Sequence, residues 1–168
     1  MKALYLLLGL CAICIINACN QHEQEPEKIV STISLKKPEA PIFHQSHEPK
    51  KQNTPFSDAV QVGNTFYLAG QIGMDHSVRE LVEGGIKAET KQALENIKAV
   101  LIQHQLKMQD VVKVTVILDD IQDFTAFNEV YVQYFPQKPA RTTFAAKALA
   151  RGAKVEIDVI AVRGIPKN

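Results

Sequence analysis

Two β-branched runs constrain this chain more than anything else in it. Residues 154–163 (KVEIDVIAVR) alternate, with Val155, Ile157 and Val159 on one side and Glu156 and Asp158 on the other. A period of two is the pattern of a half-buried strand. Residues 111–118 (VVKVTVIL) are almost wholly apolar and β-branched, and read as a second strand buried largely on both faces. Any fold of this chain must bring both into a sheet and cover it.

The cover is supplied by two helical patterns. After Gly84-Gly85, residues Ile86, Ala93, Leu94, Ile97, Leu101 and His104 fall on one stripe. His104, at its end, reads as a helix-terminal or packing histidine rather than a ligand. Beyond Asp119-Asp120, residues Phe124, Phe127, Tyr131, Tyr134 and Phe135 recur at helical spacing until Pro136 and Pro139 stop the helix. This aromatic stripe reads as core rather than a cofactor surface. Ala59–Val62 and Thr65–Ala69 flank Gly63-Asn64, the signature of a two-residue hairpin, and residues 141–147 (RTTFAAK) form a further strand candidate. The order is therefore β-β-α-β-α-β-β, an α+β protomer with a mixed sheet and two helices on one face. The uncovered face is expected to be buried by self-association.

The N-terminus reads as an address. Met1-Lys2 precedes an apolar run over residues 3–16 (ALYLLLGLCAICII), short of the roughly 20 residues a membrane span requires. The following Ile16-Asn17-Ala18-Cys19 resembles a bacterial lipobox, in which the cysteine is acylated and begins the mature chain. Residues 1–18 are thus expected to be a lipoprotein signal peptide. Residues 19–52 would be a flexible tether from acylated Cys19, and residues 53–168 the folded domain. Asn20 after the cysteine favours the outer membrane, on its periplasmic side; the alternative is a soluble periplasmic or secreted protein. Residues 20–52 hold five Lys, five Glu and four Pro, a linker composition interrupted only by the strand-like Ile29–Leu35 island. His44-x-x-His47 lacks carboxylate or thiol company and reads as solvated tail. All three cysteines lie at or before position 19, so no disulfide framework or thiolate metal site exists beyond it.

Chemistry must therefore come from other groups. Net charge is +1, and residues 53–168 carry 13 basic and 13 acidic side chains, which argues against nucleic acid as a partner. Gly70-Gln71-Ile72-Gly73 lacks the remaining elements of a phosphate loop. Three polar features remain: Arg141 at a strand start, the Glu156/Asp158 pair, and Asn128 on an aromatic helix. By pattern alone each is accounted for as an edge guard, a wet sheet face and a bridging amide.

Three stretches change that weighting: NTPFSDAVQVGNTFYLAGQIG at 53–73, ETKQALENIKAVLIQHQLKMQDVVKVTVILDDIQDFTAFNEVYVQYF at 89–135, and KPARTTFAAKALARGAKVEIDVIAV at 138–162. Together they resemble the Rid family (reactive intermediate deaminases, YjgF-like proteins) along residues 53–163. The resemblance implies a chorismate-mutase-like fold, a homotrimer with clefts between subunits, no cofactor, and hydrolysis of 2-imino acids to 2-oxo acids and ammonia. It implies that Arg141 binds the carboxylate of a small 2-imino or 2-oxo acid and that Glu156 holds or activates the attacking water. It places Asn128, Gly70, Gln71, Thr142 and Thr143 around the substrate. Two positions depart from the family pattern. Phe56 stands where catalytic members usually carry Tyr, and Ala69 where many carry Ser. The loss of two hydroxyls is expected to make the pocket more apolar and to slow turnover or favour larger apolar side chains. It also keeps open a non-catalytic reading, in which the trimer binds small carboxylates or a protein partner.

Overall fold

A computed structural model describes residues 39–164. The leader, Cys19 and the Ile29–Leu35 island lie outside the described residues. Among those described, no helix is long and apolar enough to cross a membrane.

The chain runs β1 (Ile42–His44), β2 (Ala59–Val62), β3 (Thr65–Leu68), β4 (Gln71–Ile72), β5 (Met74–Asp75), β6 (Glu80–Leu81) and α1 (Gly85–Gln103). It continues through β7 (Val111–Leu118), α2 (Phe124–Tyr134), β8 (Ala140–Ala145) and β9 (Val155–Val162). Among the described residues the main sheet is ordered β1-β2-β3-β9-β7-β8, with β4 pairing β9 beyond the end of β3; β5 and β6 form a separate hairpin. Only the β7–β8 pair is parallel, because α2 carries the chain back across the sheet between them. The result is the expected α+β architecture with a mixed sheet.

The core lies on one side of the sheet. Val155, Ile157, Val159 and Ala161 of β9 and Val114, Val116 and Leu118 of β7 pack with Leu94, Ile97 and Leu101 of α1 and Phe127, Tyr131 and Phe135 of α2. The β7 run is not covered on both faces: Val112 is exposed, and Lys113, Thr115 and Ile117 are only half-buried. Phe43, Tyr67 and Phe144 share this open face and remain 66%, 48% and 45% exposed. Helices cover the other face only, as two helices must.

The folded unit begins earlier than position 53. β1 pairs with β2 in register His44↔Ala59, and the His44 ring packs 4.3 Å from that of His104 and 6.1 Å from that of Phe66. Residues 42–52 are thus part of the packed body rather than tether, and His44 is a packing residue bonded to Gln61 at 3.2 Å. The Gln103 amide nitrogen donates to Nε2 of His47 at 2.9 Å. Lys51 and Asp58 explain how so polar a segment is held. Both are buried, at 6% and 1% exposure, and their charged atoms lie 3.7 Å apart. Composition concealed this attachment because the segment is held by charge pairing and ring stacking, not by a run of apolar residues.

Candidate active site

The Gly70–Gly73 segment is explained by packing. A Cβ on Gly70 would collide with Oε1 of Glu156, and one on Gly73 would collide with Glu89 of α1. Asn96 of α1 donates to the carbonyls of Ile72 (3.2 Å) and Met74 (2.9 Å), while Glu89 accepts from the backbone N–H of Lys154 (2.8 Å). These bonds fix β4 and the start of β9 against the same helix, and the pairing Ile72↔Glu156 sets Glu156 beside Gly70. Gln71 is buried, its amide donating to the carbonyl of Ala69 at 3.4 Å.

Glu156 projects from the open face with Asp158, as their alternation predicts. Burial, and then the like charge of Asp158, push the Glu156 carboxyl above the ordinary carboxylate range. Burial likewise raises Asp158, against the lowering effects of Thr115 and Lys113. Glu156 borders a cavity of about 240 Å³ together with Phe56, Gly70, Gln71, Lys51, His76, Arg79 and Arg151. Phe56, 51% exposed, also borders a second cavity with Ala69 and Tyr67. Ala69 therefore does not reach the wall that holds Glu156. That wall is mixed: Phe56, Ile72, Met74 and Ala150 give it the apolar character expected, and the basic side chains of Lys51, His76, Arg79 and Arg151, which were not expected, border the same cavity.

Arg141 sits elsewhere. In the parallel register it is level with Val114, on the helix side of edge strand β8. Its guanidinium carbon lies 4.5 Å from the centre of the Tyr131 ring, 5.5 Å from Phe124 and 5.7 Å from Phe127, and Nη1 donates to Oδ1 of Asn128 at 2.8 Å. Cation–π contact and a charge-assisted hydrogen bond together hold the fork half-buried in one orientation. Burial raises the Tyr131 phenol, and the Arg141 charge partly offsets this. The aromatic stripe of α2 is thus core on its inner side and a platform for Arg141 at its end. Arg141 and Tyr131 border a cavity of about 410 Å³ with Lys138, Pro139 and Val132. Thr143 lies on the same face two residues on, level with Val116, whereas Thr142 faces the open side with its hydroxyl accepting from Lys113.

The structure therefore gathers the candidate residues into two groups. Glu156, Gly70, Gln71 and Phe56 share one cavity, and Arg141, hydrogen-bonded to Asn128, borders another on the opposite side of the sheet. Sequence reading missed Tyr131 and Phe124 as the Arg141 platform, although both belonged to the recognised stripe. It also missed Lys51, His76, Arg79 and Arg151, which come from separate loops and share no spacing. Among the described residues there is no cluster of three or more His, Cys, Asp or Glu fit to hold a metal ion.

Comparison with known proteins gives this geometry a context. Residues 46–163 match the family model described as Endoribonuclease L-PSP. Over 111 residues, 66% of this chain and 81% of the relative, the sequence is 46% identical to a human 2-iminobutanoate/2-iminopropanoate deaminase. Among solved structures it is similar to RidA from an Antarctic Psychrobacter, at 42% identity and TM-score 0.63 over 66% of this chain and 89% of that one. It is also similar to Escherichia coli TdcF with bound serine, at 28% identity and TM-score 0.63 over 73% and 94% of the two chains.

Proposed function

The chain belongs to the Endoribonuclease L-PSP family, which contains the RidA and YjgF proteins, and from that premise we propose that it hydrolyses 2-imino acids to 2-oxo acids and ammonia. The observation that carries this reading is the Arg141 fork, held over the Tyr131 ring with one nitrogen tied to Asn128, in a residue that borders a cavity. A planar guanidinium so fixed suits a planar carboxylate in a bidentate pair. The bound serine of TdcF and the imine deaminase name of the human relative point the same way.

The reaction needs little else. The Arg141 fork binds the substrate carboxylate. Glu156 takes a proton from water as its oxygen adds to C2 of the imine, and the C=N bond becomes a C–N single bond. That proton passes to nitrogen and completes a carbinolamine; Glu156 then takes the carbinolamine hydroxyl proton and delivers it to nitrogen as the C–N bond breaks, so that ammonia leaves and the carbonyl of the 2-oxo acid forms. Backbone groups of Gly70–Gln71 and of Thr142–Thr143 line the path. A raised carboxyl pKa favours Glu156 as the group that both accepts and returns the proton. Arg141 and Glu156 reach one substrate only across a subunit boundary, so the working form in this reading is a homotrimer. Its assembly would cover the apolar side chains of the open face and the unpaired edge of β8.

A second reading, carboxylate binding without turnover, is favoured by Phe56 and Ala69, where hydroxyls expected of catalytic members are lacking. RNA cleavage, the activity in the family description, draws no support from 13 basic and 13 acidic residues in 53–168. One experiment separates these readings. The full chain is added to 2-iminopropanoate generated in situ, and ammonia release and semicarbazone formation are followed. Acceleration abolished by Arg141→Ala is the expected result; equal rates with wild type, variant and buffer would leave only the binding reading. We place the protein at the envelope by acylation of Cys19, tested by palmitate labelling that Cys19→Ser should eliminate.

A further inference from the structure

The cavity beside Glu156 carries more positive charge than imine hydrolysis needs. Four basic side chains border it, contributed by three separate loops: Lys51, His76, Arg79 and Arg151. Two of the four are already matched. Lys51 lies 3.7 Å from both Glu48 and Asp58, and His76 Nδ1 lies 2.6 Å from Glu48. Burial first, then the Lys51 charge, keep the His76 pKa low. Arg79 and Arg151 are different. Among the described residues neither has a carboxylate within ion-pair distance, and both border the cavity that Glu156 lines.

Their backbones are also unusual. Arg79 has φ 69° and Arg151 φ 59°, in the left-handed region that side chains other than glycine, asparagine and aspartate seldom occupy. The two turns are fastened to one another, since Nη1 of Arg151 donates to the carbonyl of Arg79 at 2.8 Å across 72 residues of sequence. Arg79 is further held by its N–H bond to the carbonyl of Asp75 at 2.8 Å. Two residues in a strained conformation, locked together at the rim of one cavity, with unmatched charge, call for an anion.

We infer that Arg79 and Arg151 form a subsite for a second carboxylate, and that the preferred substrates are 2-imino acids whose side chain carries an acid group. This rests on the deaminase reading above, in which Arg141 of a neighbouring protomer takes the first carboxylate. The two carboxylates of the substrate are then held by different cationic groups, one from each side of the cleft, with C2 between them and Glu156 alongside. Phe56 lies against the intervening methylenes. The loss of its hydroxyl costs such a substrate less than it costs a short one, because the added ion pair supplies orientation that a phenol otherwise would.

The test uses the full chain. Hydrolysis of 2-iminoglutarate and of 2-iminopropanoate, each generated in situ, is measured as kcat/KM, and binding of 2-oxoglutarate and pyruvate is measured by calorimetry. The inference predicts that the dicarboxylic member of each pair is preferred by about tenfold to a hundredfold, the effect of a hydrogen-bonded charge pair. Arg79→Asn and Arg151→Asn keep residues that tolerate left-handed backbone, so the fold survives, and together they should bring both ratios close to one; Arg79→Lys should retain most of the preference. Ratios near one in the wild-type protein, or ratios that the double variant leaves intact, overturn the subsite. If neither imine is hydrolysed faster than in buffer but 2-oxoglutarate still binds tighter than pyruvate in an arginine-dependent way, the subsite stands and the deaminase reading falls.

Discussion

Arg141 and Glu156 stand on opposite faces of the same sheet. Arg141 is level with Val114 on the helix-covered side of β8, and Glu156 is level with Ile117 on the open side of β9. A sheet with its side chains is too thick for one small substrate to touch both, since packed layers lie about 10 Å apart. The chemistry proposed for this chain is therefore a property of an assembly. In that reading each protomer offers half a cleft at each of two places, and the half with Arg141 lies on β8, the edge strand of the sheet.

Gly70 is required by the carboxylate it faces. Gly70→Ala would drive a Cβ into Oε1 of Glu156, and Glu156, being side chain, is what moves. A displaced general base forfeits a contribution of about 10²–10⁴ in rate. The expected result is a fall in kcat of about a hundredfold with the far-ultraviolet circular dichroism unchanged.

Protonation of Glu156 should set the acid limb of the rate profile. As a base it must be ionised, so kcat falls as pH drops through its raised pKa, above the position an ordinary glutamate would give. Asp158→Asn removes the like charge and should move this limb to lower pH without abolishing it, because the larger, burial effect remains. Stability follows the opposite sense. The folded protein keeps protons on Glu156 and Asp158 to higher pH than the unfolded chain does. Their contribution is thus complete below the ordinary carboxylate range and is lost as pH rises through the raised values. Urea midpoints across that window should fall with rising pH, and fall less in Glu156→Gln.

In the deaminase reading Asn128 positions Arg141 rather than reacts. Removing its amide from Arg141 by Asn128→Ala leaves the guanidinium on the Tyr131 ring but free to turn. Loss of one charge-assisted hydrogen bond is worth about a factor of ten. The change is expected in KM, with kcat altered little, and a steady-state titration of substrate separates the two.

The Lys51–Asp58 pair holds the N-terminal arm to the body. Asp58 is buried with neither carboxylate oxygen hydrogen-bonded, so Lys51→Met leaves an uncompensated charge. Such a loss costs about 3–5 kcal/mol, and the double variant Lys51→Met/Asp58→Leu should recover most of it. Chemical denaturation of the three proteins checks both statements.

What could be read in the residues was what local pattern determines. The hairpin at Gly63-Asn64, helix α1 with its stripe from Ile86 to Leu101, helix α2, and strands β7 and β9 all follow from periodicity and turn chemistry, and the structure shows each of them. Arg141, Glu156, Asn128, Gly70 and Gln71 were weighted by resemblance, and the separation of Arg141 with Asn128 from the Glu156 cavity was not legible because it depends on which face each strand residue takes after pairing. β1 was hidden by its polar neighbours, since Lys51–Asp58 and the His44–His104 stack join residues far apart in sequence. The short β4 and the β5–β6 hairpin, of two residues each, lie below the length at which alternation carries a signal. The arginine pair at 79 and 151 was invisible for the same reason as β1: 72 positions of chain separate the Arg151 side chain from the Arg79 backbone carbonyl that it bonds.

The most direct test of a cleft shared between protomers is complementation. Arg141→Ala and Glu156→Gln are each prepared and then refolded together in equal amounts. In randomly mixed trimers about a quarter of the clefts pair an intact Arg141 with an intact Glu156. Either variant alone should hydrolyse 2-iminopropanoate at the background rate, and the mixture should regain about a quarter of the wild-type rate. A mixture that contains mixed trimers by mass yet stays at background would contradict the account.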